Sequence, residues 1–422
     1  MNAWFGLTAP VQTIVLAVAG LAIAAVSNHV VVNAGYFERR PQVSPWRRGV
    51  GWIQRLPVVG WWCRDDLTTW QRLRPSAIEA TAAIAIPLLY HFEVRSGGLL
   101  PTTMRHQDVL DQIRPSLLVG FLAHVGLIAL MLPATFIDFD EQTIPDSITV
   151  TGTIAGLIAG SMSLAVYPPT AVPGLPLTPT LFDSPTFGAA GWVVRSGGLA
   201  AVLLWTAYVF ALCDRRWSGT LRRRRGWTAA ARHLGRSIFG GGRWRLPAVV
   251  WITGAVVIAV ACNAGVSHRY GCLTALVGLA GAGGLVWAIR IIASGAMGRE
   301  AMGFGDVTLM AMIGAWTGWQ AGLLAFFLAP FTSIVIALTA LILTGRRDLP
   351  FGPYLCAGTL LTLIFWDRMY NQGLADFLAV MGGVMLWMGL GLLAALGGML
   401  LAYRLILDRL HPAEDPNPAE RI

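Results

Sequence analysis

Residues 305–344 read GDVTLMAMIGAWTGWQAGLLAFFLAPFTSIVIALTALILT, and this stretch carries a single ionisable side chain, that of Asp306. A helix needs about 20 mostly apolar residues to cross a bilayer. The stretch is therefore long enough for two crossings, and we place the boundary between them at residue 320. The whole chain, 422 residues of which 55% are hydrophobic and 13% charged, has the composition of a polytopic membrane protein.

The same criterion, applied outward from this stretch, predicts an all-α, polytopic integral membrane fold with about eleven transmembrane helices. The apolar runs are compatible with eight to eleven. The predicted spans are 11–34, 77–93, 116–137, 147–167, 195–213, 246–266, 272–292, 305–320, 321–344, 352–367 and 376–404. The five cysteines are scattered without a CxxC pair, so neither a disulfide framework nor a metal site is predicted.

Arginine placement predicts the orientation in the membrane, because short loops rich in arginine stay cytoplasmic. The loop at 35–76 holds eight arginines and the loop at 214–245 holds ten. With both inside, the proline-rich 168–194 stretch lies outside, and the segments carrying Asp138 and Asp306 lie inside. The formal net charge of +9 is concentrated in such loops, so we expect contacts with anionic lipid headgroups and no nucleic-acid partner.

Two aspartates at the boundaries of apolar runs are the candidate catalytic residues. Asp138 directly follows one run, and Asp306 closes Gly303-Phe304-Gly305-Asp306 before another. Carboxylates on one face of the membrane can share a proton and activate a water, and the glycines allow a sharp turn and close approach of a substrate strand. Simpler roles remain open, since Asp306 could cap a helix and Asp138 could end a span at the interface.

Three ordered motifs surround these aspartates: IDFDEQTIPDSIT at 137–149, GREAMGFGDVTLMAMIGAWTGW at 298–319 and LPFGPYLCAG at 349–358. They resemble the motifs of the type IV prepilin peptidases, the aspartic prepilin leader peptidase/N-methyltransferase family. The resemblance implies a GxGD-type aspartic protease architecture in which Asp138 and Asp306 are catalytic. It also implies supporting roles for Pro145, Asp146, Glu300, Gly303, Gly305, Pro350, Gly352 and Pro353.

The function implied by this resemblance is cleavage of prepilin or pseudopilin leaders at the cytoplasmic face of the bacterial inner membrane. Proteolysis by two aspartates needs no cofactor. The family often also methylates the new amino terminus from S-adenosylmethionine. No Rossmann-type glycine motif is visible in the sequence, so methylation here rests on the resemblance alone.

The sequence departs from the family pattern in three places. The family's amino-terminal cytoplasmic loop usually carries two zinc-binding CxxC pairs, whereas loop 35–76 contains only Cys63, so zinc is not expected. Thr308 stands where a lysine is common, and the two aspartates are 168 positions apart, more than is usual in the family. We expect tryptophans at the membrane interface to order the loop in place of zinc: Trp46, Trp52, Trp61 and Trp62.

These features divide the chain into five predicted regions. They are an amino-terminal membrane region at 1–115, the first aspartate region at 116–167, an insertion of an external loop, helices and a basic loop at 168–270, the GxGD and PFGP region at 271–370, and the last transmembrane helix with a cytoplasmic tail at 371–422.

Two alternative functions remain open. A presenilin-like or signal-peptide-peptidase-like protease also uses GxGD, but its first aspartate follows tyrosine and a proline-alanine-leucine triplet comes later, whereas this chain has Ile137 and PFGP. A transporter whose boundary carboxylates handle a cation or proton is the non-enzymatic alternative. The absence of a visible internal repeat argues against the transporter.

Overall fold

The computed structural model describes residues 2–35, 46, 51–172, 175–181, 197–213, 245–297, 302–344 and 350–410. Its helices are α1 (Asn2–Phe5), α2 (Ala9–Ala34), α3 (Val59–Trp62), α4 (Thr69–Tyr90), α5 (Gln107–Glu141), α6 (Asp146–Met162), α7 (Gly197–Cys213), α8 (Arg245–Ala264), α9 (Val266–Gly278), α10 (Gly284–Met297), α11 (Phe304–Thr344), α12 (Gly352–Trp366) and α13 (Ala375–Leu410). Three π-helical segments continue these helices, at His91–Arg95, Leu279–Gly283 and Asp367–Leu374. Short 3₁₀ turns occupy Ile53–Arg55, Thr102–Met104 and Leu164–Val166.

Helices coincide with all eleven predicted spans, and the all-α, polytopic membrane fold is confirmed. Six segments are long and apolar enough to cross a bilayer: Ala9–Ala34, Thr69–Arg95, Gln107–Glu141, Arg245–Ala264, Val266–Ser294 and Phe304–Thr339. Gly197–Leu212 is apolar but shorter. The exact number of crossings stays a prediction.

One feature outside the helices was not predicted. Within the proline-rich stretch, strands β1 (Pro169–Val172) and β2 (Leu175–Pro179) form an antiparallel hairpin in which Pro169 lies opposite Pro179. The hairpin is tied to the helices by the indole of Trp366, whose Nε1–H donates to the carbonyl of Pro169 at 2.7 Å. Prolines disfavour central strands but are tolerated in an isolated two-stranded ribbon, where one edge of each strand is unpaired.

The long apolar stretch at 305–344 folds as two helices joined at Gly318, close to the predicted boundary at residue 320. Gly318 has φ 81°, a left-handed conformation that glycine adopts without a steric penalty. A Cβ built on Gly322 would lie 3.5 Å from the Cα of Gly314. Eight residues of continuous helix would separate these positions by about 12 Å, so the chain reverses direction at Gly318.

Small residues let the helices around this reversal approach closely. A Cβ on Gly278 would clash with the backbone oxygen of Gly314, and a Cβ on Gly314 would clash with that of Gly278. Backbone-to-backbone packing through glycines is the usual way in which helices associate where lipid provides no hydrophobic driving force. The crossing holds α9 against the first half of α11, the helix that begins at the GxGD motif.

The largest hydrophobic cluster surrounds both aspartate-bearing segments. It includes Leu127 and Ile137 of α5, Ile144 of the following turn, and Met310 and Leu355 of α11 and α12. All are almost fully buried, and a close-packed interior holds side chains in defined rotamers. The three motifs quoted above therefore share one core.

The described part of the amino-terminal loop, residues 51–68, is ordered by a buried carboxylate. Glu79 of α4 is completely buried and accepts hydrogen bonds from the backbone N–H of Val58 at 2.5 Å, the indole of Trp61 at 3.0 Å and the amide of Asn28 at 2.9 Å. Trp61 contacts this carboxylate from a buried position, and the ordering of the loop by tryptophans at the membrane interface stays a prediction. Trp52 and Trp62 are exposed, as is Trp46.

Several predictions lie outside the described residues. They concern the basic loop at 214–244, the motif residue Glu300 and the tail at 411–422. The five predicted regions and the assignment of sides of the membrane stay predictions.

Candidate catalytic site

Asp138 lies in the last turn of α5 and is 4% exposed. The helix ends just beyond it because Gln142 adopts a left-handed conformation with φ 53° and its N–H donates to the Asp138 carbonyl at 2.8 Å, a common way to close a helix. Pro145 follows and restricts Ile144 to an extended backbone. The Asp138 carboxylate accepts the N–H of Gly352 through Oδ2 at 3.0 Å. One catalytic candidate is thus joined directly to the PFGP motif.

Asp306 lies in the first turn of α11 and is 8% exposed. Its carboxylate stands in the first turn of the helix, where the free backbone N–H groups and the helix dipole favour a negative charge. This position is compatible with the predicted capping role. Gly303 remains exposed beside it, with only 3.6 Å between a Cβ built there and Asp306 Oδ2. Backbone can approach Asp306 from this side.

Ile144 joins the two aspartate-bearing segments. A Cβ on Gly305, the neighbour of Asp306, would lie 2.9 Å from the Cβ of Ile144. A Cβ on Gly352, the partner of Asp138, would lie 2.9 Å from Ile144 Cδ1. The two carboxylates are close enough to interact electrostatically. The fold therefore brings Asp138 and Asp306 together although they are 168 positions apart in the sequence.

The glycines of the motifs serve packing more than the sequence suggested. Gly305 and Gly352 leave room for Ile144, and a Cβ on Gly352 would also come within 2.5 Å of Asp138 Oδ2. Of the two glycines beside Phe304, only Gly303 keeps an open side for an incoming strand. Glycine is required at Gly305 and Gly352 because no larger residue fits.

The other motif residues shape the helix ends. Pro145 is buried, and its carbonyl accepts the N–H of Ile148 at 3.0 Å at the start of α6. Asp146 stands in the first turn of that helix, where a carboxylate is favoured by the helix dipole. Pro350 comes two residues before α12, and Pro353 occupies its first turn, a preferred position for proline. All four residues lie at or just before the start of a helix, and their supporting role stays a prediction.

Two buried arginines near the aspartates were missed. Arg74 of α4 pairs with Asp140 at 2.8 Å, and Arg290 of α10 donates to the carbonyl of Met302 at 3.0 Å. The sequence marks both residues by a positive charge in or beside an apolar run. Arg290 interrupts the apolar run LVWAIRIIA, and Arg74 comes just before a predicted span. Such charges in membrane segments tend to be functional, but their partners are too distant in sequence to read.

Metal binding finds no support in the described residues. They contain no group of three His, Cys, Asp or Glu side chains placed to hold a metal ion. In the loop segment that would correspond to a zinc-binding loop, the described residues offer a single exposed thiol, Cys63, which does not fit a four-ligand zinc site.

A cavity of about 380 Å³ lies elsewhere in the bundle and contains neither aspartate. Among the residues lining it are Glu93, His124, Tyr167 and His268. The imidazole Nδ1 of His124 lies 2.9 Å from the carboxylate of Glu93, with both side chains buried. His124 precedes Asp138 by fourteen residues on α5, which is about 20 Å along a helix axis. The cavity and the aspartates are therefore at separate levels of the bundle.

Comparison with known proteins finds a similarity for part of the chain. Residues 243–338 match the model of the type IV leader peptidase family. This segment contains Asp306 and Arg290, and does not contain Asp138.

Curated relatives are named prepilin leader peptidase/N-methyltransferase. The protein of Aeromonas hydrophila is 32% identical over 97 residues, which is 22% of this chain and 32% of the relative. That of Pseudomonas aeruginosa is 32% identical over 87 residues, 20% of this chain and 30% of the relative. That of Burkholderia pseudomallei (strain 1026b) is 34% identical over 90 residues, 20% of this chain and 28% of the relative.

The matched region spans about a third of the length of these relatives. No solved structure matches the chain. The family model covers helices α8, α9 and α10, the turn that carries the GxGD motif and most of α11. Residues 243–338 of this membrane protein, with Asp306 among them, are therefore similar to the type IV leader peptidase family.

Proposed function

We propose that this chain is a membrane aspartic endopeptidase that removes the leader peptide of type IV prepilins or pseudopilins. The observation that carries the proposal is that Ile144 packs against both Gly305, the neighbour of Asp306, and Gly352, the partner of Asp138. Asp306 also lies within the residues that match the family model. The names of the curated relatives support the substrate class.

The proposed chemistry uses the two carboxylates in opposite protonation states. The ionised aspartate accepts a proton from water while the water oxygen attacks the scissile carbonyl carbon. The protonated aspartate then gives its proton to the leaving amine as the C–N bond breaks. Two carboxylates close enough to interact disfavour the doubly ionised state, which favours a single shared proton.

The burial of the pair has a consequence for catalysis. Both carboxylates are more than nine-tenths buried, and electrostatic interactions are stronger where water is excluded. The N–H of Gly352 holds the Asp138 carboxylate in place, so its position is set before substrate arrives. Preorganised groups need little rearrangement during reaction.

The proposed site of cleavage is the cytoplasmic face of the inner membrane. The arginine-rich loops at 35–76 and 214–245 support this orientation. Aspartates at that boundary would meet the junction between a polar leader and the apolar helix of a membrane-embedded substrate. Anionic lipid headgroups are the expected neighbours of the arginine-rich loops.

Methylation of the new amino terminus with S-adenosylmethionine is a second proposed activity. The names of the relatives support it, and we assign no residue of this chain to it. Mass spectrometry of a cleaved substrate, with and without added S-adenosylmethionine, tests it. An amino terminus that stays unmethylated would remove this activity from the proposal.

The decisive experiment is cleavage of a leader-bearing prepilin by the full chain purified in detergent. We expect Asp138→Asn and Asp306→Asn each to lower cleavage by about 10²- to 10⁴-fold, the usual contribution of a general acid or base. Asp376→Asn, which alters an exposed residue at the start of α13, is the matched control and should cleave normally.

Three outcomes would count against the proposal. Normal cleavage by either asparagine variant would remove that aspartate from the chemistry. An inactive wild-type protein would favour the transporter alternative, and cleavage within a transmembrane helix instead of at the leader junction would favour a presenilin-like protease.

A further inference from the structure

A buried arginine stands beside each aspartate-bearing turn, and each arginine comes from a neighbouring helix. Arg74 of α4 reaches the end of α5, and Arg290 of α10 reaches the start of α11. Both are almost fully buried, with exposed fractions of 10% for the Arg74 side chain and 6% for Arg290. Burying a guanidinium costs several kcal/mol unless partners compensate. Their contacts therefore indicate what they hold.

Arg74 contacts the last turn of α5 on both sides of Asp138. Its Nη1 pairs with Oδ1 of Asp140 at 2.8 Å, and its Nη2 donates to the carbonyl of Phe136 at 3.4 Å. Its guanidinium carbon also lies 5.0 Å from the centre of the Phe136 ring. Phe136 and Asp140 flank Asp138 at two residues on either side, so these contacts fix the rotation of the turn that presents the carboxylate.

Arg290 contacts the turn that leads into Asp306. Its Nε donates to the carbonyl of Met302 at 3.0 Å, and its guanidinium carbon lies 5.4 Å from the centre of the Phe304 ring. Its positive charge interacts with the Asp306 carboxylate. Thr308, which replaces the lysine common in the family, donates its hydroxyl to the Gly305 carbonyl at 3.0 Å. A cation is therefore supplied from α10 instead of from α11.

The two arrangements share one pattern. In each, a phenylalanine precedes the aspartate by two residues, and the arginine covers its ring while bonding a nearby backbone carbonyl. Planar guanidinium groups suit this combination of stacking and hydrogen bonding, which lysine does not reproduce. An arginine that only anchored the topology would extend its charge to water, and neither does so.

We propose that Arg74 and Arg290 are positioning residues, which lock the turns of Asp138 and Asp306 to neighbouring helices so that the two carboxylates face one another. The proposal rests on the proposed peptidase function. It goes beyond it by assigning the geometry of the pair to two side chains outside the motifs. A displacement of about 1 Å at a reacting group can reduce catalysis by about 100-fold.

The first test is steady-state cleavage by Arg74→Met, Arg74→Lys, Arg290→Met and Arg290→Lys. We expect kcat to fall by about 10- to 100-fold with KM within about threefold of wild type, because these residues align the carboxylates and do not bind substrate. The lysine variants should be nearly as impaired as the methionine variants. Arg114→Met is the matched control, since Arg114 pairs with Asp111 at the far end of α5 in a partly exposed position.

A double variant separates positioning from general stability. If Arg74 acts through Asp140, then Asp140→Asn should lower kcat as Arg74→Met does, and the double variant should be no worse than either. Additive losses would show that the two residues act independently and would overturn the proposal that Arg74 positions Asp138 through Asp140.

The second test does not depend on activity. Cys356 is buried in the hydrophobic cluster that surrounds both aspartate-bearing segments, so it reports on the packing of the site. We expect N-ethylmaleimide to label Cys356 at least about tenfold faster in Arg74→Met and Arg290→Met than in wild type, as resolved by peptide mass spectrometry. Arg114→Met should match wild type.

The outcomes are distinguishable. Methionine variants that cleave with a kcat within twofold of wild type, or that leave Cys356 as protected as before, would overturn the inference. If the wild-type protein cleaves no prepilin, the proposed function fails, while the Cys356 labelling still decides whether the arginines hold the site together.

Discussion

Replacing Glu79 should detach the amino-terminal segment at 51–68 from the helices while leaving the membrane bundle folded. The carboxylate of Glu79 accepts three hydrogen bonds, from Val58 N–H, the Trp61 indole and the Asn28 amide. Glu79→Leu fills similar space but leaves all three donors without this acceptor. An unsatisfied buried donor costs about 1–3 kcal/mol, so the three together should lower the free energy of local opening by about 3–9 kcal/mol.

The backbone of the segment adds to this effect. Val58 has φ 61°, an unfavourable conformation for a β-branched residue, and the bond from its N–H to Glu79 helps to hold it. Without the carboxylate, Val58 can relax to an extended conformation. Glu79→Gln keeps one acceptor oxygen, so we expect a smaller loss of about 1–2 kcal/mol.

Limited trypsin digestion in detergent measures the opening. Arg64 is 2% exposed and lies against the Trp61 ring, with its guanidinium carbon 5.6 Å from the ring centre. Cleavage there requires local opening, and its rate follows the open population when opening and closing are fast. A loss of about 3 kcal/mol predicts cleavage after Arg64 about 100-fold faster in Glu79→Leu.

The control and the refuting result are specific. Asp367→Asn weakens an ion pair between the buried Asp367 and the more exposed Arg105 elsewhere in the bundle and should leave cleavage after Arg64 at the wild-type rate. An unchanged rate in Glu79→Leu, with helicity preserved, would show that the carboxylate does not hold the segment and that other contacts order it.

Two glycine substitutions test the packing of the site. Gly352→Ala places a Cβ 2.5 Å from Asp138 Oδ2 and should lower prepilin cleavage at least about tenfold, whereas Gly373→Ala, with nothing within 4 Å, should not. Gly278→Ala forces a Cβ against the facing helix backbone and should lower the free energy of unfolding by about 3 kcal/mol, measured by thermal unfolding in detergent. Gly284→Ala has open space and should be neutral.

Apolar length was sufficient to predict the helices because a bilayer demands about 20 apolar residues for each crossing. The reversal at Gly318 was located within two residues of the predicted boundary, since glycine is suited to the required conformation. The hairpin at 169–179 could not be predicted in the same way. It is held by contacts such as that between Trp366 and Pro169, which join residues 197 apart in the chain.

For the candidate site, the sequence identified the two aspartates but not what aligns them. Arginine topology placed Asp138 and Asp306 on one side, which is a statement about depth in the membrane and not about distance. Their approach depends on Ile144 packing between two glycines, and a short apolar side chain in a motif gives no sign of such a role. The partners of Arg74 and Arg290 depend on how the helices pack, which no local pattern encodes.

The part of the chain between the aspartates that contains α7 and α8 packs around a second hydrophobic cluster. Trp205 of α7 donates to the carbonyl of Trp251 on α8 at 3.1 Å, so the two helices are joined to each other. Tyr208 donates to Thr153 at 3.2 Å, which docks the pair on α6. The cluster around Trp205 and Tyr208 is distinct from the one around the aspartates, and it meets α11 through Ala311 and Ala315 instead. Since the chain returns to the same bundle after α7 and α8, the distance in sequence between Asp138 and Asp306 sets no limit on their distance in space.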